Sequence, residues 1–151
     1  MNLMKLWRVW MAGALLLVGA ASEGVAAEPI GQIKTASGEV AIERAGQRSS
    51  AKVGDSLYQS DGVSTGKESA AGITFVDNSM FSLGPNSHLA LEKFRFNTTT
   101  HEGVFESSMK KGTLHVKSGK IVKQTPEAMT IKTPTSVLAV RGTEFDVRVD
   151  Q

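Results

Sequence analysis

The stretch Thr130–Val149, TIKTPTSVLAVRGTEFDVRV, decides the fold. Leu138 and Val140 share one parity of an extended segment, and Phe145, Val147 and Val149 share the other. Arg141-Gly142-Thr143 lies between them, where the alternation changes phase. Beyond it Glu144, Asp146, Arg148 and Asp150 point away from the apolar side. Period-2 alternation gives a strand with one wet face and one buried face. A phase change at Gly142 predicts a bulge or tight corner, with the glycine at a positive φ that side chains resist. On that basis Gly142→Val is expected to be severely destabilising. The Arg141 guanidinium is placed to lock the corner by donating to its carbonyls, or else to receive a carboxylate ligand. The stretch is the closing corner of an all-β domain and names no chemistry.

Outward from this corner the same pattern recurs. Val40 and Ile42 alternate with polar neighbours, and Ala45–Lys52 reads as a loop. Val53-Gly54-Asp55 and Asp61-Gly62 are turn signals, with Asp-Gly suited to a positive φ. Ala71–Val76 is a strand, Asp77-Asn78-Ser79 a turn, Met80–Leu83 a strand, and Gly84-Pro85-Asn86-Ser87 a turn. The apolar parity then moves from Leu89 and Leu91 to Phe94 and Phe96, which predicts a bulge near Glu92-Lys93. Asn97–Gly103 is expected to be an exposed loop, and Met109–Gly112 a turn into the strand Thr113–Lys117. Turn signals recur every 8–12 residues or so, the spacing of a sandwich, barrel or solenoid. No 3.6-residue stripe is sustained after residue 27, so helices are limited to about a single turn.

The chain has 151 residues and no cysteine. It has neither a disulfide, nor a thiolate metal site, nor a lipidated cysteine. MNLMKLWR opens with Lys5 and Arg8, Val9–Ala21 is an apolar run of 13, and Val25-Ala26-Ala27 precedes Glu28-Pro29. That is the layout of a cleavable signal peptide over 1–27. The run is short of the roughly 20 residues needed to span a bilayer. Residues 28–151 then form one exported domain with no membrane span, in a periplasm or outside the cell. Taking Lys5, Arg8 and Glu23 from the totals of 17 basic and 15 acidic residues leaves 15 and 14. This balance argues against a nucleic-acid partner.

Motifs that can carry chemistry are few. Gly62-Val63-Ser64-Thr65-Gly66 matches the nucleophile-elbow pattern, which would make Ser64 a hydrolase nucleophile. That mechanism needs a strand, a sharp turn and a helix, and the flanks here are polar turns. His88, His101 and His115 form no local ligand pair, and His115 lies on the outward parity of its strand. Asp55, Asp61 and Asp77 sit in turns, where a carboxylate bonds its own backbone. No metal, cofactor or small-molecule ligand is called for. Ser- and Thr-rich turns are compatible with binding envelope polysaccharide such as peptidoglycan. Exposed aromatic rings are scarce, however: Tyr58 is the only tyrosine and Trp7 and Trp10 lie in the leader.

Three pieces, in order, resemble the periplasmic domain of the FecR family, transmembrane regulators of iron-siderophore signalling. They are ITFVDNSMFSLGPNSHLAL over Ile73–Leu91, MKKGTLHVK over Met109–Lys117, and IKTPTSVLAVRGTEFDV over Ile131–Val147. The third carries Thr133, Pro134, Arg141, Gly142, Thr143 and Phe145, matching the family's V-x-T-P…G-T-x-F-x-V ending. Asn78 stands where the family usually has Gly, and Asn tolerates the left-handed region. The resemblance implies a short twisted β-helix, or solenoid-like stack of short strands and hairpins, with a β-sandwich as the alternative. It implies a non-enzymatic protein-interaction and signalling module that meets another envelope protein. Family members also carry a cytoplasmic sigma-factor-binding segment and a membrane helix. This chain has a signal peptide in that place, so what transfers is the exported interaction module, with edge strands or the Asn97–Gly103 loop as its contact surface.

Overall fold

The computed structural model describes Gly24 and residues 26–150. The signal-peptide reading therefore falls almost wholly outside the described residues. The strands are β1 Gly31–Ser37, β2 Val40–Arg44, β3 Gln47–Ser50, β4 Ser56–Leu57, β5 Gly62–Thr65, β6 Ala70–Phe75 and β7 Met80–Leu83. They continue with β8 His88–Phe96, β9 Gly103–Lys117, β10 Met129–Lys132, β11 Val137–Ala139 and β12 Glu144–Val149. A single helical turn, α1 Lys120–Gln124, follows β9. Strand makes up 55% of the described residues and helix 4%, so the all-β expectation is met.

The strands form one curled, open half-barrel. Its spine is a long bent hairpin. β7 and then β8 run antiparallel to β9, from Met80 opposite Lys117 to Phe96 opposite Gly103. The carboxy-terminal half of β9 belongs to a half-sheet ordered β4-β1-β6-β7-β9-β12. Its amino-terminal half belongs to a second, ordered β3-β2-β5-β8-β9-β10-β11. All pairs are antiparallel except β9 with β10.

The bend lies at Gly112, where φ is +94° and a Cβ would meet Ser87 Cα at 2.5 Å. The turn expected at Met109–Gly112 is thus a kink inside a continuous strand. A turn there would have ended β9, but glycine absorbs the bend while the ladder continues on both sides. The bulge expected near Glu92-Lys93 is present as a register shift between Leu91 and Lys93. Asn97–Glu102 forms the exposed β8–β9 loop, with Asn97 Oδ1 accepting from Thr99 N and Thr100 N at 2.8 and 3.1 Å. In the Val53-Gly54-Asp55 turn Gly54 takes a φ of +98°, and Asn78 takes the left-handed value of +67° that its side chain tolerates. In the Asp61-Gly62 turn, however, the left-handed residue is Ser60 at +74°, and Gly62 opens β5.

The core fills the concavity between the half-sheets. Phe75 of β6 and Phe81 of β7 meet Phe94 of β8 and Phe105 of β9, with contacting ring centroids 4.7 to 6.1 Å apart. Such pairs contribute about 1 kcal/mol each beyond the area they bury. Ile33, Leu57, Val63, Leu89, Met109, Val116, Ile121, Met129 and Ile131 pack around them with no more than 1% of their surface exposed.

Candidate interaction surface at the carboxy-terminal crossover

Val140 is the pivot of the last segment. Its N–H donates to Met129 O at 2.9 Å, its carbonyl accepts from Glu127 N at 3.0 Å, and its side chain is buried. Arg141-Gly142-Thr143 then carries the chain from one half-sheet to the other, where β12 pairs with β9. This explains the phase change: each half-sheet has its own inner face and imposes its own parity. Phe145 and Val147 lie opposite Val116 and Leu114, as the alternation predicts. On β11 the prediction succeeds only in part. Leu138 lies opposite the buried Ile131 but is 39% exposed, because no strand covers its far side.

Two expectations for the corner are overturned. Gly142 does not take a positive φ, and a Cβ there meets nothing within 4 Å. The crossover is an open connection between sheets, so it needs no left-handed residue. Nor does Arg141 hold the corner's carbonyls; its guanidinium pairs with the Glu127 carboxylate. Ser118 holds them instead. Its Oγ donates to Gly142 O at 2.8 Å and its N–H to Thr143 O at 2.8 Å. Ser118 was not singled out from the sequence, because a polar residue ending an alternating run looks like any solvated strand end.

Thr133 and Pro134 lie in the β10–β11 hairpin, where Thr133 N donates to Ser136 O at 2.8 Å and Thr133 Oγ1 accepts from Ser136 N at 3.0 Å. Phe145 packs, half-buried, against the core. Thr133, Pro134, Arg141, Gly142, Thr143 and Phe145 therefore spread along one segment and do not converge on a common point.

A second polar network ties the spine together. Asp77 is fully buried and accepts from Ser79 N at 3.0 Å and Ser79 Oγ at 2.7 Å. Ser79 Oγ accepts in turn from Gly119 N at 3.0 Å. Asp55 and Asp61 also accept from backbone in their turns, from Lys52 N and Tyr58 N, both at 2.8 Å. Asp61 further receives both Arg44 Nε and Nη2, and the Arg44 guanidinium lies 4.6 Å from the Tyr58 ring centroid. The turn role predicted for the three aspartates holds.

Ser64 lies inside β5, opposite His88 of β8. Its Oγ is buried and has no hydrogen-bond partner, so no base is set to take its proton. Burial lowers the His88 pKa from its ordinary value. His115 projects outward from β9 as predicted, with Nδ1 2.7 Å from Asp146 and Nε2 2.9 Å from Glu144. Asp146 first and Glu144 second raise its pKa. Among the described residues no group of three or more His, Asp or Glu side chains is placed to hold a metal ion. Among them, too, no helix is long and apolar enough to cross a membrane. An open groove of about 1030 Å³ runs beside the β8–β9 loop, floored by Ile30, Val76, Phe94 and Phe96 and rimmed by Glu28, Arg95 and Glu102.

What this geometry defines is an all-β scaffold of largely antiparallel strands that leaves its sheet edges open at the last segment. The FecR model, described as FecR protein, matches residues 61–151, and the chain belongs to that family. The match takes in the bent hairpin and the whole crossover. Neither the curated proteins nor the solved structures gave a match. The family is a regulatory, non-enzymatic one associated with the cell envelope.

Proposed function

We propose that this chain is an exported FecR-type domain that acts in the bacterial periplasm by contact with another envelope protein and catalyses no reaction. The family match over residues 61–151 carries this reading. The open strand edges support it, because exposed backbone groups at an edge are a ready template for a partner strand. In this reading the leader 1–27 is removed after Ala27, and Thr133, Pro134, Arg141, Gly142, Thr143 and Phe145 act structurally by shaping the crossover. The test is crosslinking in the intact envelope with identification of what is caught, run beside co-sedimentation with peptidoglycan. Stable capture of one envelope protein is the expected result. Binding to peptidoglycan alone would replace a protein partner with a polysaccharide one. Sequencing of the periplasmic form should begin at Glu28.

A further inference from the structure

Among the described residues four strands have a free side: β3, β4, β11 and β12. They differ in how well they are guarded. β4 has two residues, too few to template a partner. β3 is Gln-Arg-Ser-Ser, with Arg48 facing Glu39 and Glu43 across 3.6 Å. β12 exposes Glu144, Asp146 and Arg148. Charged side chains on an edge discourage strand addition. Of the three longer edges β11 alone is uncharged: Val137, Leu138 and Ala139, with Val137 68% exposed and Leu138 39%.

The hydrogen bonding of β11 fixes which backbone groups are free. Ser136 O accepts from Thr133 N, and Val140 bonds inward through both its N–H and its C=O. In an antiparallel ladder inward and outward residues alternate. The N–H and C=O groups of Val137 and Ala139 therefore face away from the sheet. The side chains alternate as well. Leu138 shares the inner face with Ile131, and Val137 shares the outer face with Lys132. The inner layer thus runs Ile131, Leu138 and then stops, with an apolar surface still uncovered.

We infer that β11 is the docking edge for a partner protein, which adds an extended segment along Val137–Ala139 and sets an apolar side chain against Leu138. This rests on the protein-binding reading above and names its site and the chemistry of its ligand. A second copy of this chain is a poorer occupant. Self-pairing of a three-residue strand covers far less than the roughly 1,200 Å² that a stable dimer buries, whereas a partner segment engaged transiently needs no such area. The local charges suit an uncharged segment: Lys132 is paired with Glu92 at 2.9 Å and Arg141 with Glu127, so neither is free to attract one.

The test selects binders of the full chain from a library of random extended peptides and maps them by amide hydrogen exchange. Expected are peptides with alternating apolar residues that protect the Val137 and Ala139 amides. Val137→Pro removes an N–H that the fold itself does not use and should weaken such a peptide about tenfold. Leu138→Lys should weaken it similarly. Arg48→Ala on β3 and Arg148→Ala on β12 should leave it unchanged, and all four variants should melt near the parent temperature. Protection of β3 or β12 amides instead overturns the choice of edge while leaving protein binding intact. Failure to enrich any peptide, or protection of β11 that grows with protein concentration in the absence of peptide, overturns the inference. Loss of envelope-protein crosslinking at every edge would count against the broader reading as well.

Discussion

Gly112 and Gly142 separate the residues that build this fold from those that only look as if they do. Gly112 needs both its positive φ and its missing side chain, since a Cβ would overlap Ser87. Gly112→Ala should cost about 3 kcal/mol or more by urea denaturation. Gly142→Ala should change stability by less than about 0.5 kcal/mol, because nothing surrounds the site. A large loss at Gly142 would show that the crossover is packed more tightly than its geometry allows. Asp77→Ala strands the Ser79 hydroxyl and backbone N–H in the interior, and about 3 kcal/mol should be lost. Ser107 is the opposite case. Its Oγ is buried beside Leu91 and Ile131 without a partner, so Ser107→Ala should be neutral or stabilising by up to about 1 kcal/mol. The aspartate turns were legible in the sequence because a carboxylate and the N–H it accepts lie within three residues. The demand on Gly112 was not, because it is set by Ser87, 25 positions away in the turn that leads into β8.

At the level of elements, the strand alternation was legible but the sheet each strand joins was not. Periodicity reveals which side of β12 is wet, and it cannot reveal that β11 and β12 belong to different half-sheets. The phase change was therefore assigned to a glycine corner when its cause is a change of sheet. The clasp between β12 and β9 shows the same limit: His115 was read as outward-facing, but its two carboxylate partners lie 29 and 31 positions further on. Both ring nitrogens face carboxylates, so the imidazole donates to both only when it is protonated. Lys117 of β9 and Arg148 of β12 are the other charges near the clasp, while β7 presents only Ser82 opposite His115. Since the folded pKa is raised, protonation favours the folded clasp. Its contribution is full below about pH 6.5, the value in an unfolded chain, and is lost as pH rises through the higher folded value. Nuclear magnetic resonance titration should place His115 above the ordinary histidine value and above His88, whose pKa burial lowers. The exchange protection of β12, corrected for intrinsic rate, should fall as His115 deprotonates. His115→Gln should abolish that pH dependence, and a His115 that titrates at or below its ordinary value would rule the clasp out.

For the whole molecule, the sharing of one hairpin between two half-sheets has a thermodynamic consequence. β9 supplies a paired strand to each half-sheet, and the phenylalanine quartet takes two rings from each. Neither half can leave without exposing the other's inner face. The chain should therefore unfold in one cooperative step, as small single domains usually do. Two probes can report on this separately. Tyr58 follows β4 at the far margin and touches Arg44 of β2, so its fluorescence reports the junction there. Far-ultraviolet circular dichroism reports strand content throughout. In a chain prepared to start at Glu28, which lacks Trp7 and Trp10, tyrosine emission is unmasked. The two urea transitions should share a midpoint, and Gly112→Ala should lower both together, because the kink it disturbs lies where the half-sheets join. A Tyr58 transition that precedes the loss of strand signal would mean that the β2–β5 margin opens on its own. The bent hairpin would then be the sole stable unit, and the open edge at β11 would have to be carried by that hairpin alone.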